Sequence, residues 1–331
     1  MTLRFTGVYM IVITGGAGFI GSVLLAKLNS MGCDDIIVVD NLGSTEKWRN
    51  LVKRSYRTYI HRDAFFEELS TSSLKDVTAI VHLGACSSTT ERDCDFLYRN
   101  NVLYTKKLCT YALERGIRII IASSAATYGD GSQGFVDDPT ELAKLRPLNM
   151  YGYSKHLVDR WLWDNRLLDS VASLKFFNVY GPNEYHKGDM QSVVAKAYGQ
   201  IMRHGSLALF ASTHPDIADG EQKRDFVYVK DCAELIVWLL KTPSLCGIHN
   251  VGTGKARSFN DLGRAVFSAL ERECSITYIP MPETLAGKYQ NYTCADMSWL
   301  EGLGAPVHMR DLEEGVRDYV CGYLGTADPY V

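Results

Sequence analysis

Short apolar runs and longer mixed segments alternate along the first half of the chain. The runs at residues 9–14, 36–40, 79–85 and 118–122 carry the isoleucine, valine and other apolar residues that are typical of strands buried in a parallel sheet. Residues 22–31 and 93–115, which lie between these runs, are predicted to be helices. Strands that alternate with helices in this way predict an α/β fold with a doubly wound parallel sheet.

A glycine-rich loop separates the first predicted strand from the first predicted helix. Its sequence is Gly15-Gly-Ala-Gly18-Phe-Ile-Gly21. Glycines allow a tight turn and a close approach of the backbone, and the first N–H groups of the helix can bind a pyrophosphate. The order of strand, loop and helix therefore predicts a Rossmann domain that binds a dinucleotide, with Gly15, Gly18 and Gly21 in contact with it.

The second predicted strand bears on the choice between NAD and NADP. It ends in Asp40, about 20 residues beyond the loop, where an acidic residue usually holds a ribose hydroxyl and favours NAD. The segment 47–62, however, contains no acidic residue and six basic ones, which could pair with a 2′-phosphate or form a solvated basic face: Lys47, Arg49, Lys53, Arg54, Arg57 and Arg62. We expect NADP, with NAD as the alternative.

The second half of the chain predicts a smaller α/β domain. Short strands at 225–229 and 248–252 return to the first domain or bridge the two, and the amphipathic segments 233–240 and 262–270 are helices whose apolar stripes belong to the core. We expect an NADP-binding Rossmann domain over residues 9–178, with returning segments near 224–252, and a mainly substrate-binding domain over 179–331.

Candidate chemistry lies where the fourth predicted strand ends. Ser124 is placed at the carboxyl edge of the sheet, where ligands of such folds bind. Tyr151 and Lys155 follow after one loop, and their spacing of four puts both on one face of a helix. A neighbouring positive charge favours the phenolate, so Tyr151 could remove a proton from a substrate hydroxyl. For the spaced pair alone, an ordinary amphipathic helix is the alternative.

Composition excludes several other classes of protein. The 331 residues are 46% hydrophobic and 22% charged with a net charge of −3, which suggests an enzyme of one large or two modest domains and no nucleic-acid partner. No run approaches the ~18 apolar residues of a membrane span, and we identify no signal peptide. Nine cysteines without a Cys-x-x-Cys pair favour reduced thiols in the cytoplasm and argue against a metal site.

Several motifs resemble those of the extended short-chain dehydrogenase/reductase family of nucleotide-sugar enzymes. They are Thr14-Gly-Gly-Ala-Gly-Phe-Ile-Gly21, Ser123-Ser-Ala-Ala-Thr-Tyr-Gly129, Tyr151-Gly-Tyr-Ser-Lys155 and Phe177-Asn-Val-Tyr-Gly-Pro182. More selective stretches are similar to the ADP-L-glycero-D-manno-heptose 6-epimerases of that family: Gly84-Ala-Cys-Ser-Ser-Thr-Thr-Glu91, His186-Lys-Gly188, Lys223-Arg-Asp-Phe-Val-Tyr-Val229 and Gly287-Lys-Tyr-Gln290. The resemblance covers nearly the whole chain.

The resemblance implies residues for each part of the site. Besides the three glycines, the NADP site would include Phe19, Ile20, Asp40, Asn41, Lys47, Arg62, Leu83, Gly84, Ala85, Cys86, Ser87, Asn100, Lys155, Val179 and Lys187. The ADP-sugar would contact Ser87, Ser124, Asn178, Lys187, Asp189, Lys196, Phe210, Ala211, Ser212, Thr213, Arg224 and Tyr289. Asp189, Lys196 and Ala211 depart from the family pattern, and the loop 211–222 is longer than expected, so both departures fall on the predicted substrate contacts.

The implied activity is epimerisation at C6 of the heptose of ADP-D-glycero-D-manno-heptose, by transient oxidation to an aldehyde and reduction on the opposite face. Two bases, Tyr151 and Lys187, serve the two positions of the hydroxyl, and Ser124 and Lys155 lie beside Tyr151. The alternative for Lys187 is a surface or phosphate-binding lysine, and His186 is a second candidate proton carrier. Ala125 and Ala126 replace the acid that dehydratases of the family need, whereas a UDP-hexose 4-epimerase remains an alternative. The family also suggests a homo-oligomer, with a pentamer as the candidate, and a role in lipopolysaccharide core assembly.

Overall fold

The structure is a computed structural model, and it describes residues 10–69, 74–282 and 290–331. Its strands, in chain order, are β1 Met10–Thr14, β2 Ile36–Asp40, β3 Thr58–His61, β4 Val77–His82, β5 Arg118–Ser124, β6 Val171–Phe176, β7 Asn178–Tyr180, β8 Leu207–Phe210, β9 Lys223–Tyr228, β10 Gly247–Val251, β11 Ala256–Ser258 and β12 Ile276–Ile279.

The helices flank and connect these strands. In chain order they are α1 Phe19–Ser30, α2 Phe65–Glu68, α3 Cys94–Leu97, α4 Tyr104–Glu114, α5 Met150–Asp164, α6 Val193–His204, α7 Val229–Lys241, α8 Phe259–Ala269, α9 Ser298–Gly302 and α10 Leu312–Tyr319. Residues 98–103 are also helical and join α3 to α4, so the helix predicted over 93–115 is present. Among the described residues, no helix combines the length and the apolar character that a membrane crossing requires.

Seven parallel strands form the main sheet, in the order β3-β2-β1-β4-β5-β6-β10. Every residue of β1 and β2 is buried, as expected for strands covered by helices on both faces. The chain runs outward from β1 to β3, returns to β4 beside β1, and continues to β6. This arrangement confirms the predicted doubly wound parallel sheet.

Strand β6 was not predicted from the sequence, although it lies inside the sheet. It contains Ser173 and Lys175, which interrupt the apolar pattern, and both are buried. The Lys175 Nζ atom lies 2.8 Å from the Asp159 carboxylate, and Ser173 donates to the same carboxylate at 2.8 Å. Asp159 belongs to α5, so a buried ion pair between α5 and β6 compensates the charge of Lys175. This charge is the reason that the sequence pattern does not indicate a buried strand.

The two segments predicted as short strands in the second half of the chain belong to different sheets. Residues 247–251 form β10, which joins the main sheet at its edge beside β6. Residues 223–228 form β9, which pairs with β7 and β11 in a separate three-stranded sheet. Strands β8 and β12 make a parallel pair of their own. The two smaller sheets lie outside the main sheet and complete the wall of a large cavity.

Candidate active site

A cavity of ≈ 970 Å³ lies at the carboxyl ends of β1, β4 and β5. Three groups of residues line it: the glycine-rich loop, the group Ser124, Tyr151 and Lys155, and a part built by β8, β9 and α8. The carboxyl edge of a parallel sheet is the usual ligand site of such folds. The cavity therefore combines a dinucleotide cradle with candidate proton-transfer groups.

The glycine-rich loop has the shape of a dinucleotide cradle. Gly15 has a φ of +69°, and a Cβ atom there would lie 2.6 Å from the Gly84 backbone nitrogen. A Cβ atom on Gly21 would lie 2.2 Å from the Gly15 carbonyl oxygen. Helix α1 begins at Phe19 directly after the loop, with Gly18 as its N-cap residue. The loop thus brings the start of the helix close to the cavity without side chains in the way, which fits a bound pyrophosphate.

Asp40 at the end of β2 is fixed to this loop. Its carboxylate accepts a hydrogen bond from the Ala17 backbone N–H at 2.8 Å and forms an ion pair with Lys47 Nζ at 2.5 Å. Asp40 and Lys47 both line the cavity. The charge of the acid is therefore compensated by a lysine at the position that would meet a ribose.

The other cations of the segment 47–62 are mostly engaged elsewhere. Lys53 pairs with Asp328, Arg57 with Asp35, and Arg54 donates to the carbonyl oxygen of Val331. Arg49 pairs with Glu46. The idea of a basic face directed at one ligand is therefore wrong for these four residues. Arg62 also pairs with Asp63, at 3.2 Å, and of the six basic residues only Lys47, the partner of Asp40, lines the cavity.

Ser124, Tyr151 and Lys155 converge from two elements. Ser124 ends β5, and its hydroxyl hydrogen-bonds the phenol of Tyr151. Helix α5 starts beside this strand end because Gly152 packs closely on the turn after Ser124; a Cβ atom there would lie 2.6 Å from the Ala126 carbonyl oxygen. Lys155 Nζ donates to the Ala122 carbonyl oxygen at 2.8 Å. The predicted common face of Tyr151 and Lys155 is confirmed, since both line the cavity.

Burial sets the protonation of these groups. It raises the pKa of the Tyr151 phenol, and the hydrogen bond from Ser124 offsets part of that rise. It lowers the pKa of Lys155 to about 8, against the attraction of Asp159. The pKa of Tyr151 is therefore raised in this structure, opposite to the lowering expected from a neighbouring positive charge, because desolvation dominates. Tyr151 is a neutral phenol near pH 7, ready to donate a proton.

Lys187 enters the cavity from a different part of the chain. It lies in the helical turn Tyr185–Met190, and its Nζ atom is 5.0 Å from the centre of the Phe19 ring at the start of α1. Burial lowers the pKa of Lys187, and Lys196 adds to this effect while Glu184 opposes it. A buried amine with a lowered pKa can accept a proton more readily than an exposed lysine.

Three buried residues that the sequence analysis missed hold the Lys187 turn in place. Glu184 accepts hydrogen bonds from the Ser192 hydroxyl at 2.7 Å and from the Ser192 backbone N–H at 2.5 Å. Asn183 has a φ of +72° and donates to the Ser22 hydroxyl of α1 at 2.9 Å. Asn50 donates to the carbonyl oxygens of both Asn183 and Ala17. The turn is thereby tied to the glycine-rich loop, a link between distant parts of the sequence that no local pattern indicates.

Comparison with known proteins places the chain in a family. Residues 11–252 match the model of the NAD dependent epimerase/dehydratase family. The chain belongs to this family. Over 97% of its length it is 59% identical to the ADP-L-glycero-D-manno-heptose-6-epimerase of Nitratidesulfovibrio vulgaris strain Hildenborough, and over 97% it is 47% identical to the protein of the same name from Fusobacterium nucleatum; both matches span 100% of the relative.

Comparison with solved structures supports the assignment of the chain to this family. The Helicobacter pylori ADP-L-glycero-D-manno-heptose-6-epimerase superimposes with a TM-score of 0.78 at 28% identity, covering 94% of this chain and 95% of that one. The Thermus thermophilus UDP-glucose 4-epimerase, solved with NAD, gives a TM-score of 0.74 at 25% identity and covers 96% of this chain and 99% of that one. The chain is therefore an enzyme whose named relatives are epimerases.

Most residues predicted for the site of this epimerase-family enzyme do line the cavity. Those predicted for the cofactor are Gly15, Gly18, Phe19, Ile20, Gly21, Asp40, Lys47, Leu83, Gly84, Ala85, Cys86, Ser87, Lys155, Val179 and Lys187. Those predicted for catalysis or substrate are Ser124, Tyr151, Asn178, Lys196, Phe210 and Arg224, together with Ser87, Lys155 and Lys187. Their common location is established, while their individual roles stay predictions.

The remaining predicted residues are not among those that line the cavity. Arg62 and Asn100 hydrogen-bond each other, and Asn100 also donates to Asn101 at 2.8 Å; it is Asn101 that bonds both backbone groups of Cys86. The other such residues are Asn41, Asp189, Ala211, Ser212 and Thr213. Ser212 donates through its backbone N–H to Asp219 at 2.7 Å, so the long loop is folded on itself. Tyr289 lies outside the described residues.

Replacing Gly21 with alanine is expected to weaken cofactor binding by about 10- to 100-fold, because the new Cβ atom would meet the Gly15 carbonyl oxygen and force the cradle open. Cofactor affinity of the apo-enzyme, measured by fluorescence titration, checks this. The matched control is Gly302→Ala at the end of α9, where a Cβ atom meets nothing within 4 Å. Equal affinity in the wild type and Gly21→Ala would show that the loop is not the cradle.

Proposed function

We propose that this enzyme interconverts ADP-D-glycero-D-manno-heptose and ADP-L-glycero-D-manno-heptose by inverting C6 of the heptose, with bound NADP. One observation carries the proposal: Tyr151 and Lys187, from different elements, line one cavity beside a dinucleotide cradle. The names of relatives at 47% and 59% identity support the substrate.

The cradle supports a resident nicotinamide dinucleotide. Gly15, Gly18 and Gly21 leave room for its pyrophosphate at the start of α1, and Asp40 with Lys47 would hold its ribose. When bound, the dinucleotide would supply reversible hydride transfer, which oxidises the substrate carbon and reduces it again on the other face. Because C6 is bonded to both C5 and C7, its oxidised form is a ketone, and the expectation of an aldehyde is wrong. The protein's own part is to bind, to orient and to move protons.

Tyr151 is proposed to carry the proton of the hydroxyl in one epimer. Its phenol is neutral at rest, since burial raises its pKa, and it can return a proton to the carbonyl oxygen. Ser124 donates its single hydroxyl hydrogen to the phenol oxygen, and it can turn to donate this hydrogen to the substrate oxygen instead when substrate is bound. Lys155, fixed to the Ala122 carbonyl oxygen, supplies positive charge when the phenolate forms.

Lys187 is proposed to serve the hydroxyl of the other epimer. C6 lies outside the sugar ring, so rotation about the C5–C6 bond turns the opposite face of the ketone to the cofactor and moves its oxygen to another side of the site. A proton carrier must lie within about 3 Å of the oxygen, so Tyr151 cannot serve both positions well. Lys187, held by the Glu184 and Asn183 anchors, approaches from a separate turn.

The nucleotide of the substrate is proposed to occupy the part of the cavity built by β8, β9 and α8. Arg224 is buried there, 5.7 Å from the centre of the Phe259 ring, and a guanidinium can bind a diphosphate through two hydrogen bonds. The alternative of a surface ion pair with Asp225 does not fit, because Asp225 is buried and accepts hydrogen bonds from Thr253 and Ala295.

Incubation of the purified enzyme with ADP-D-glycero-D-manno-heptose tests the proposal. Proton NMR should show the appearance of the L-glycero epimer and an approach to the same mixture from either side. UDP-glucose is the comparison substrate, because the alternative function is a UDP-hexose 4-epimerase. Formation of UDP-galactose without any change in the ADP-heptose would refute the proposed substrate and favour that alternative.

The cofactor that copurifies with the enzyme is expected to be NADP. Lys47 compensates the charge of Asp40, and Arg62 follows β3 beside the end of β2, where it pairs with Asp63 at 3.2 Å. A 2′-phosphate could take the place of these carboxylates as the partner of the two cations. The released nucleotide should show the dinucleotide absorption spectrum and three phosphates per adenosine after digestion. Two phosphates per adenosine would identify NAD and contradict this part of the proposal.

A further inference from the structure

Gln222 is a buried side chain whose amide nitrogen has no hydrogen-bond partner among the described residues. The residue is 1% exposed, and its Nε2 atom is buried. The backbone carbonyl oxygen of the same residue has a partner, since it accepts a hydrogen bond from the Phe259 N–H at 3.2 Å. A buried donor without a partner costs stability and calls for an explanation, and a ligand that supplies the missing acceptor is one.

The position of Gln222 points to such a ligand. It lines the cavity together with Arg224 and Phe226, because alternate residues of an extended chain lie on the same side. Phe259 and Leu209 also line this part, with the Arg224 guanidinium 5.7 Å from the centre of the Phe259 ring. Gln222, with its unpartnered amide nitrogen, therefore lines the same cavity as a cation and several apolar and aromatic side chains.

These surroundings fit the nucleoside part of a sugar nucleotide. Aromatic and aliphatic side chains accept the face of a flat base, and a guanidinium binds the adjoining diphosphate. A carboxamide offers a donor and an acceptor in one plane, as the polar edge of adenine requires. We infer that Gln222 hydrogen-bonds the nucleoside of the substrate, beside the diphosphate bound by Arg224; the class of ligand rests on the proposed function.

Gln200 shows what a structural glutamine in the same cavity looks like. It also lines the cavity, but its Oε1 atom accepts a hydrogen bond from the Ala208 backbone N–H at 3.0 Å. The Gln200 amide thus hydrogen-bonds the neighbouring strand β8, whereas the Gln222 amide nitrogen hydrogen-bonds none of the described residues. Replacing each glutamine by methionine, which has a similar size and no amide, separates the two roles.

The experiment uses the enzyme saturated with NADP+ and measures ADP affinity by calorimetry and Tm by scanning calorimetry. Gln222→Met is expected to weaken ADP binding about 10-fold and to leave the affinity for inorganic pyrophosphate unchanged. Its Tm should stay the same or rise by about 1–3 °C, because an unsatisfied buried donor is removed. Gln200→Met should lower the Tm, because the Ala208 N–H loses its acceptor.

Three results would overturn the inference. They are an ADP affinity of Gln222→Met equal to that of the wild type, an equal loss of pyrophosphate affinity, or a fall in Tm like that of Gln200→Met. ADP binding requires no turnover, so failure of the proposed reaction is a separate outcome. An enzyme that leaves ADP-heptose unchanged, yet binds ADP through Gln222, would support this inference and refute only the proposed epimerisation.

Discussion

Replacing Tyr151 with phenylalanine is expected to lower kcat for epimerisation by about 10³-fold while leaving cofactor binding unchanged. The phenol hydroxyl is the proposed proton carrier, and a positioned acid or base contributes about 10²- to 10⁴-fold to a rate. The ring itself is retained, so its contacts at the start of α5 persist. Steady-state kinetics with ADP-heptose and fluorescence titration with NADP measure the two quantities.

Tyr153 is the matched control for this variant. It lies two residues away on the same helix, but its side chain is 45% exposed and does not line the cavity. Tyr153→Phe should therefore behave like the wild type. Full activity in Tyr151→Phe together with a loss in Tyr153→Phe would show that the wrong tyrosine has been chosen.

Replacing Lys187 with methionine is expected to lower kcat by about 10²- to 10⁴-fold and to retain bound cofactor. Methionine keeps an apolar chain of similar length against Phe19 and removes the amine. Burial lowers the pKa of Lys187, so the free amine that accepts a proton becomes available at a lower pH than in an exposed lysine. The limb of the pH–rate profile that rises as Lys187 loses its proton should therefore disappear in the variant.

Lys106→Met provides the control for the loss of a lysine beside an aromatic ring. The Lys106 Nζ atom lies 5.5 Å from the centre of the Trp161 ring, an arrangement like that of Lys187 over Phe19, but outside the cavity. This variant should keep wild-type turnover. Near-full activity in Lys187→Met would reject the two-base scheme and leave Tyr151 to serve both epimers.

The main sheet and the cradle could be predicted because their determinants are local. Runs of isoleucine and valine form β1 and β2, and the glycines that the loop geometry requires lie directly between β1 and α1. The face shared by Tyr151 and Lys155 follows from helical spacing alone. Each of these features depends on residues that are close together in the sequence.

The rest depends on contacts between distant residues, which single-sequence patterns do not show. Lys53 and Arg54 look like ligands for a phosphate until the chain folds and brings Asp328 and Val331 to them. Strand β6 is concealed because Lys175 is charged, and only its buried partner on α5 explains its place in the sheet. The amide of Gln222 becomes notable only when the absence of a partner among the described residues is known.

For Tyr151, a correctly predicted spacing to Lys155 leads to the wrong direction of the pKa shift. The spacing to Lys155 predicts attraction between an ammonium and a phenolate, which lowers the pKa of the phenol. In the folded enzyme Lys155 is fixed to the Ala122 carbonyl oxygen, and burial, which raises the pKa of Tyr151, is the larger effect. The balance between charge and desolvation depends on the depth of the cavity, which is not encoded in a spacing of four residues.

A crystal structure of the Tyr151→Phe holoenzyme with ADP-D-glycero-D-manno-heptose tests the central claim, that two proton carriers flank one carbon. The account predicts the ring of residue 151 and the Lys187 Nζ atom on different sides of C6, with the amine within about 3 Å of a position that the C6 oxygen can reach by rotation. A structure in which Lys187 contacts only a diphosphate, far from C6, would contradict the account.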